Sequence, residues 1–191
     1  MTNAFTLNSS ALHLTDEQFF QLCQDNRDVQ FERNANGDLV IMSPTGGETG
    51  YRNGRITQQL FNWIDAGGTG IAFDSSTGFI LPNGANRSPD VAWIASDRWN
   101  ALTPEQKQRF LPLCPDFVVE LRSPSDNLEN LQRKMQEYRD NGTRLGWLLD
   151  PSSKTVEIYR RDRAIEVVQN PDELSGETVL PGFSLKLDRI W

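Results

Sequence analysis

Histidine is almost absent from this sequence, because the 191 residues include only His13. A Ser-His-Asp or Cys-His nucleophile would have to use that residue, and zinc sites usually take several histidine or cysteine ligands. Nothing around His13 resembles a site of either kind. We therefore expect any catalysis by this chain to depend on carboxylate, lysine and arginine side chains.

Cysteines and long apolar runs are also scarce. Cys23 and Cys114 are too few for a disulfide framework and lack the spacing of metal ligands. No apolar run approaches the length of a membrane span, and residues 1–14 lack the basic and apolar regions of a signal peptide. We therefore expect a cytoplasmic protein that does not interact with a membrane.

Positive charge is in deficit, since the formal net charge is −7 at pH 7. A protein that attracts nucleic acid over its whole surface needs clustered lysine and arginine, so the composition argues against that class. Only four of the nineteen basic residues are lysines. The rest are arginines, which favour bidentate contacts with phosphate or carboxylate, so a local basic groove remains compatible with the acidic total.

The length fits one domain over residues 1–191, with a core at about 40–160. Strands mixed with one early and one late long helix predict an α/β or α+β fold. The central strands are apolar on both faces, so helices should cover both faces of the sheet. Helices are predicted at 15–25, 45–66 and 126–141, and short helical turns at 99–111 with a helix start at 103–106. Strands are predicted at 29–32, 39–42, 70–74, 78–81, 89–95, 116–122, 145–149, 156–159, 164–168 and 179–187.

Cap signals predict where the helices begin and end. A capping box starts at Thr15, and Thr45 with Glu48 forms a second one before the first long helix. Asp126 is the expected N-cap of the last helix, and Gly142 its C-terminal stop. Residues 1–14 are interpreted as a leader that either lies over the core or is loose, and residues 82–86 as a loop.

Three charged residues are placed where they can meet. Glu120 interrupts an apolar strand, Asp90 opens an earlier strand, and Lys134 lies on the flank of the apolar stripe of the last helix. If the two strands are neighbours, both carboxylates can converge on one hard cation, which takes oxygen ligands. Lys134 could then orient or deprotonate a bound water and stabilise charge that develops on a phosphate.

Each of these residues also has a purely structural interpretation. An Asp that follows a proline, as Asp90 does, often makes only a turn hydrogen bond. Glu120 can form a buried ion pair with Arg122, which shares its strand face, or with Lys134. Lysines on helix flanks are commonly only solvated, and Tyr138 can be a packing residue with a useful hydroxyl.

Several segments form a combined pattern over about residues 40–160. They are Ser43-Pro44-Thr45-Gly46-Gly47, Gly78-Phe79-Ile80-Leu81-Pro82-Asn83-Gly84, Ser88-Pro89-Asp90-Val91-Ala92-Trp93-Ile94, Pro115-Asp116-Phe117-Val118-Val119-Glu120-Leu121-Arg122-Ser123-Pro124-Ser125-Asp126, Lys134 with Tyr138, and Gly146-Trp147-Leu148-Leu149-Asp150-Pro151. Together they resemble the bacterial putative restriction endonuclease family of the PD-(D/E)XK nuclease superfamily. The combination is specific, whereas no single segment would be.

The resemblance implies a restriction endonuclease-like α/β (α+β) fold, in which helices flank a central mixed β-sheet that carries additional β-hairpins. It implies a Mg²⁺ or Mn²⁺ site at Asp90 and Glu120, with the backbone carbonyl of Leu121 as a third ligand. As in some relatives, Glu48 is a candidate for an extra acidic ligand, although its capping box with Thr45 is the preferred interpretation. The implied activity is hydrolysis of DNA phosphodiester bonds by an activated water.

One position departs from the pattern of the superfamily, which places a lysine two residues after the acid. This chain has Arg122 there, and the lysine of the resembling family maps to Lys134 on the following helix. Arginine keeps its proton, so Arg122 can clamp a phosphate but is a poor general base. The expected substrate contacts are Arg52, Arg87, Arg122 and Tyr138.

These observations lead to hypotheses of different classes. The preferred one is a Mg²⁺-dependent endonuclease that acts on DNA as a homodimer, because enzymes that cut both strands often pair. The alternative, motivated by the acidic charge and by Arg122, is a catalytically degenerate nuclease fold that serves as a dimeric binding module. A glycosidase that uses Asp90 and Glu120 is a third hypothesis, but it gives Lys134 no role.

Overall fold

The structure is a computed structural model that describes residues 4–191. The strands are β1 (Ala4–Leu7), β2 (Gln30–Arg33), β3 (Leu39–Met42), β4 (Ile71–Asp74), β5 (Phe79–Ile80), β6 (Asn86–Arg87), β7 (Val91–Ile94), β8 (Phe117–Leu121), β9 (Leu145–Asp150), β10 (Thr155–Arg160), β11 (Glu166–Gln169), β12 (Glu173–Ser175) and β13 (Ser184–Lys186). The helices are α1 (Asp16–Asp25), α2 (Gly47–Asp65), α3 (Ser96–Asn100), α4 (Pro104–Lys107) and α5 (Leu128–Asp140), with a 3-10 helix at Ser10–Leu12.

The central sheet has the strand order β11-β10-β9-β8-β7-β4. Strands β8 and β9, which α5 connects, pair parallel to each other. All other pairs in this sheet are antiparallel, so the predicted mixed sheet is confirmed. Because β7 runs antiparallel to β8, with Val91 opposite Val119, the beginning of β7 lies beside the end of β8. The two predicted carboxylates are therefore at one edge of the sheet.

Helices cover both faces of this sheet, as predicted, and β8 and β9 are buried along their whole length. Alternate residues of β8 face opposite ways. Val119 packs in the core that includes Ile56 and Leu60 of α2, whereas Val118 packs in the core that includes Met135 of α5. Glu120, two residues after Val118, thus points to the α5 face.

A glycine makes room for a side chain of α5 on the sheet. A Cβ atom at Gly146 of β9 would lie 2.6 Å from Met135 Cε and 3.3 Å from Val118 Cγ2. A side chain at this position would force the end of Met135 to move, because real Cβ contacts are rarely this short. Gly146 therefore gives Met135 its place between α5 and the sheet.

A second sheet, of strand order β1-β3-β2-β6-β5, is antiparallel and contains the predicted hairpin of β2 and β3. Two of its strands were not predicted. β1 lies within the expected leader, and β6 begins at Asn86 in the expected loop. Both are short strands that exist through pairing with distant segments, Ala4 with Met42 and Asn86 with Arg33, so local patterns do not reveal them.

The C-terminal segment differs in detail from its prediction. The strand expected over 179–187 is reduced to β13, which pairs with the unpredicted β12 so that Leu185 lies opposite Leu174. Residues 179–182 lie in the turn between them, where Gly182 has a φ of 82°. Among the helices within residues 4–191, none combines the length and the apolarity that would let it cross a membrane.

The cap predictions for α1 and for the end of α5 are confirmed. The Thr15 side chain accepts a hydrogen bond from the Gln18 backbone, and the Gln18 side chain accepts one from the Thr15 backbone, which completes the capping box. Gly142 follows the last turn of α5 with a φ of 115°, a left-handed conformation in which glycine avoids the strain of a side chain.

Two other cap predictions are wrong. Helix α2 has Gly46 as its N-cap without a side-chain hydrogen bond, so Thr45 and Glu48 form no capping box. The N-cap of α5 is Asn127, whose side chain accepts a hydrogen bond from the Asn130 backbone. Asp126 instead accepts a hydrogen bond from the Ser123 N–H at 2.8 Å and closes the turn after β8.

Candidate active site

A cleft of about 540 Å³ lies between the second sheet and the N-terminal part of α5. Its described lining includes Asp90, Glu120 and Lys134, so the structure brings the three main predicted residues together. The loop before β7, strand β8 and helix α5 supply one each. Glu32 of β2 and Asn53 of α2, which were not predicted as site residues, also line the cleft.

Both oxygens of Asp90 accept hydrogen bonds. Oδ2 accepts one from the Leu121 backbone N–H at 2.7 Å, and Oδ1 accepts one from Asn53 Nδ2 at 2.8 Å. Burial raises the pKa of Asp90 above its ordinary value, although these two hydrogen bonds favour the ionised form. The carboxylate is therefore fixed in rotation by two different elements.

Glu120 lies against the lysine of α5. Its Oε1 atom accepts from Lys134 Nζ at 2.8 Å and from the Tyr138 hydroxyl at 3.0 Å. Burial raises the pKa of Glu120 to about 7, and the nearby charges of Asp90 and Glu32 act in the same direction against the opposing effect of Lys134. A further cation beside this carboxyl group would favour its ionised form.

Lys134 is shared between two carboxylates, because its Nζ atom also lies 2.9 Å from Glu32 Oε1. Burial alone lowers the pKa of a lysine, but the charges of Glu120 and Glu32 more than offset this, and the pKa of Lys134 is raised. Lys134 therefore keeps its proton at neutral pH. Of the two roles considered for it, the charge favours orientation and stabilisation over deprotonation of a water.

Glu32 is a site residue that sequence reasoning missed. It is buried, it accepts a hydrogen bond from the Ser88 N–H at 2.9 Å, and its Oε2 atom lies 3.1 Å from Arg87 Nη1. Burial raises the pKa of this carboxyl group, but Lys134 and Arg87 outweigh that effect and the pKa is lowered. Strand alternation showed only that Glu32 faces away from Phe31, and the contact with α5 had no local signal.

The predicted substrate-binding residues have different surroundings. Arg87 lines the cleft, but Glu32 and Glu137 already bind its guanidinium, the latter at 2.6 Å. Arg122 pairs with Asp150 at 2.6 Å, at the end of β9. The described lining of the cleft lacks Arg52, Arg122, Tyr138 and Glu48.

The candidate metal ligands are placed as follows. Leu121 lines the cleft and its N–H binds Asp90, which brings its backbone next to the two carboxylates. Glu48 lies in the first turn of α2, exposed, 3.3 Å from Arg52 of the same helix. Asp90, Glu120 and Leu121 are thus close together, while Glu48 is engaged in a separate surface pair.

The oxygen atoms that line the cleft are of the kind that a hard cation takes as ligands. No group of three or more His, Cys, Asp or Glu residues within 4–191 is arranged to hold a metal ion, so a cation here would take Asp90, Glu120 and neutral oxygens. Mg²⁺ is commonly bound in this way, through one or two carboxylates with several retained waters. The Oδ1 atom of Asn53, beside Asp90, is buried and has no hydrogen-bond partner among the described residues.

The cleft carries more negative than positive side chains. Its described lining has five carboxylates and three cationic groups, which are Glu32, Asp90, Glu120, Asp126 and Glu137 against Arg87, Arg133 and Lys134. Each cationic group already has a carboxylate partner, since Arg133 pairs with Glu129 at 3.3 Å. An anionic ligand would therefore meet net repulsion unless a cation entered the cleft with it.

Comparisons with known proteins identify the family and the fold. The Uma2 family model, described as putative restriction endonuclease, matches residues 16–188. A crystal structure of a putative nuclease from Anabaena variabilis is similar with a TM-score of 0.75 at 18% sequence identity, over 93% of this chain and 97% of that chain. At this identity the similarity shows the fold, and the predicted fold class is confirmed. No curated protein matches the chain.

Proposed function

The chain belongs to the Uma2 family of putative restriction endonucleases, and from this premise we propose that it is a metal-dependent endonuclease that hydrolyses DNA phosphodiester bonds. The observation that carries the proposal is that Asp90, Glu120 and Lys134, supplied by three separate elements, line one cleft in which the Leu121 N–H binds Asp90. Two carboxylates at one sheet edge and an adjacent lysine are the parts that this chemistry requires.

In the proposed mechanism Asp90, Glu120 and the Leu121 carbonyl would hold Mg²⁺ or Mn²⁺. Such an ion would supply Lewis acidity and lower the pKa of a water in the cleft. Lys134, which is protonated, orients the nucleophile and stabilises the negative charge that develops on the phosphate. Tyr138 donates to Glu120 and so holds that carboxylate in place.

The arginines differ in how freely they can contact DNA. The partner of Arg52 is Glu48, whose side chain is 78% exposed, and exposed ion pairs are weak. The partner of Arg122, Asp150, is only 10% exposed and also accepts a hydrogen bond from Ser152. We therefore assign Arg52, whose side chain is 18% exposed and which lies outside the described lining of the cleft, to a backbone phosphate beside the cleft. Arg87 and Arg122 reach a phosphate only by leaving their partners.

DNA binding should depend on divalent cations, because the carboxylates of the cleft repel phosphate until a cation offsets them. We expect Ca²⁺ to tighten binding of a labelled DNA duplex by about tenfold or more relative to EDTA at matched ionic strength. Fluorescence anisotropy would measure it, with two chains per duplex for the proposed homodimer. Replacing Ca²⁺ by Mg²⁺ should then give cleavage, visible on a gel.

Equal affinity in EDTA and in Ca²⁺ would contradict this account of the cleft. Tight cation-dependent binding without any cleavage in Mg²⁺ or Mn²⁺ would favour the degenerate binding module instead. Sodium chloride at the same ionic strength is the control, since it screens charge without occupying a two-carboxylate site.

The affinity for Mg²⁺ should rise with pH. The pKa of Glu120 in the folded protein is about 7, against an ordinary value of 4.5, so between these values the folded protein binds a proton that the unfolded chain has lost. Cation binding must release that proton, and we expect Mg²⁺ affinity to increase from pH 6 to 8 and then level off. The free energy of unfolding of the metal-free protein should fall as the pH rises from about 4.5 to about 7, because over this range the folded form holds a proton that the unfolded chain has lost.

Calorimetric titration with Mg²⁺ at pH 6, 7 and 8 would measure this dependence. Buffers of different ionisation enthalpy would reveal the released proton at pH 6 and its near absence at pH 8. An affinity that does not change over this range would show that Glu120 is ionised throughout.

A further inference from the structure

Asn53 is a half-buried residue of α2 beside the buried side of that helix. It is four residues after Thr49 and three before Ile56, and both of those side chains are buried. Its Nδ2 atom donates to Asp90 Oδ1 at 2.8 Å, and Asn53 also lines the cleft. The helix thus presents an amide directly to one of the two carboxylates of the candidate site.

The orientation of this amide follows from Asp90. The Leu121 N–H fixes Asp90 Oδ2, so Oδ1 is the oxygen that faces α2, and only the Nδ2 end of the amide can approach it favourably. The Oδ1 end of Asn53 must then face elsewhere. It is buried and has no hydrogen-bond partner among residues 4–191.

A buried amide oxygen without a partner is rare, because its loss of water is not offset. Lys134, a donor that also lines the cleft, is already engaged by Glu32 and Glu120. A donor from outside the protein would satisfy the oxygen after a small movement of the amide, since less than 1 Å² of this atom is exposed. A hydrated divalent cation fits, since Mg²⁺ keeps several waters when it binds one or two carboxylates, and those waters are strong donors.

We propose that Asn53 is a positioning residue for the cation at Asp90 and Glu120. Its Nδ2 atom holds the Asp90 carboxylate in the binding orientation, and its Oδ1 atom accepts a hydrogen bond from a water of the hydrated ion. This inference rests on the proposed metal-dependent function. Partners of this kind, one step removed from the ion, typically change metal affinity by 10–100-fold.

Calorimetric titration with Mn²⁺ at pH 8 tests the proposal on the full chain. Asn53→Ala should bind Mn²⁺ about 10–100-fold more weakly than the wild type, because both hydrogen bonds are lost. Asn53→Leu, which keeps a similar side-chain volume but makes neither hydrogen bond, should weaken Mn²⁺ binding to a similar extent. Asn62→Ala, an exposed asparagine of the same helix, is the matched control and should behave as the wild type.

A residue with only a structural role would alter the melting temperature of the variants and leave their Mn²⁺ affinity unchanged. Affinities within twofold of the wild type for both Asn53 variants would overturn the inference while leaving the proposed function intact. No Mn²⁺ binding by the wild type would overturn the proposed function and the inference together. If Asn53→Ala does not fold, Asn53→Leu decides alone, since wild-type affinity in it contradicts the proposal.

Discussion

Replacing Lys134 by methionine is expected to lower the free energy of unfolding by about 3–5 kcal/mol and to abolish DNA cleavage. Its ammonium group is the cation between Glu32 and Glu120, whose side chains are only 3% and 5% exposed. Without this ammonium group, Glu120 keeps only the Tyr138 hydroxyl as a hydrogen-bond donor among the contacts described above. The negative charges of Glu32 and Glu120 then repel each other with no cation between them. Urea unfolding at pH 8 and a gel cleavage assay would measure the two effects.

Two further variants show whether this loss comes from the buried charges. Lys154→Met removes a lysine from an exposed turn and should change stability by less than about 0.5 kcal/mol. Adding Glu120→Gln to Lys134→Met should recover part of the lost stability, because one of the two unpaired charges is then gone. If Lys134→Met were as stable as Lys154→Met, the bridge would contribute nothing to the fold.

Replacing Glu120 by glutamine is expected to have opposite effects on activity and stability. Cleavage should fall by about three orders of magnitude or more, since the change removes a proposed ligand and weakens the Lys134 contact. The metal-free protein should become more stable at pH 8, on the order of 2–3 kcal/mol, because ionised Glu120 is disfavoured by burial and by two neighbouring carboxylates. Thermal unfolding in EDTA at pH 5 and pH 8 would measure this.

The sign of the effect follows from the raised pKa of Glu120. At pH 5 the Glu120 carboxyl group of the folded wild type is mostly protonated, so its burial lowers the free energy of unfolding only slightly. Glu120→Gln should therefore be only slightly more stable than the wild type at this pH. At pH 8 the gain should be largest. Glu17→Gln, at an exposed ion pair with Arg109, is the matched control and should show no such pH dependence. Lower stability of Glu120→Gln at pH 8 would mean that the ion pair with Lys134 outweighs the burial of Glu120.

The meeting of Asp90, Glu120 and Lys134 was predictable because it depends on local rules. Strand alternation placed Glu120 on one face of β8, and helical spacing placed Lys134 on the flank of the apolar stripe of α5. The remaining step, that β7 and β8 are neighbours, came from the family resemblance. The roles of these residues stay predictions until binding and cleavage are measured.

Glu32 and Asn53 could not be predicted in the same way. Each reaches the site through a contact between elements far apart in the sequence, β2 with α5 and α2 with the start of β7. The strand β1 was missed for a similar reason, since its pairing with β3 has no local signature. The N-cap of α5 was wrong by one residue, because Asp126 and Asn127 are both capable caps and the turn after β8 takes the aspartate.

The ion pair between Arg122 and Asp150 bears on how the ends of two strands are held. Arg122 directly follows β8, Asp150 is the last residue of β9, and their charged groups lie 2.6 Å apart. Because β8 and β9 are the parallel strands that α5 connects, this contact fastens the two strand ends beside Glu120 and Leu121. The position two residues after Glu120 thus serves the sheet, and the cleft takes its lysine from α5.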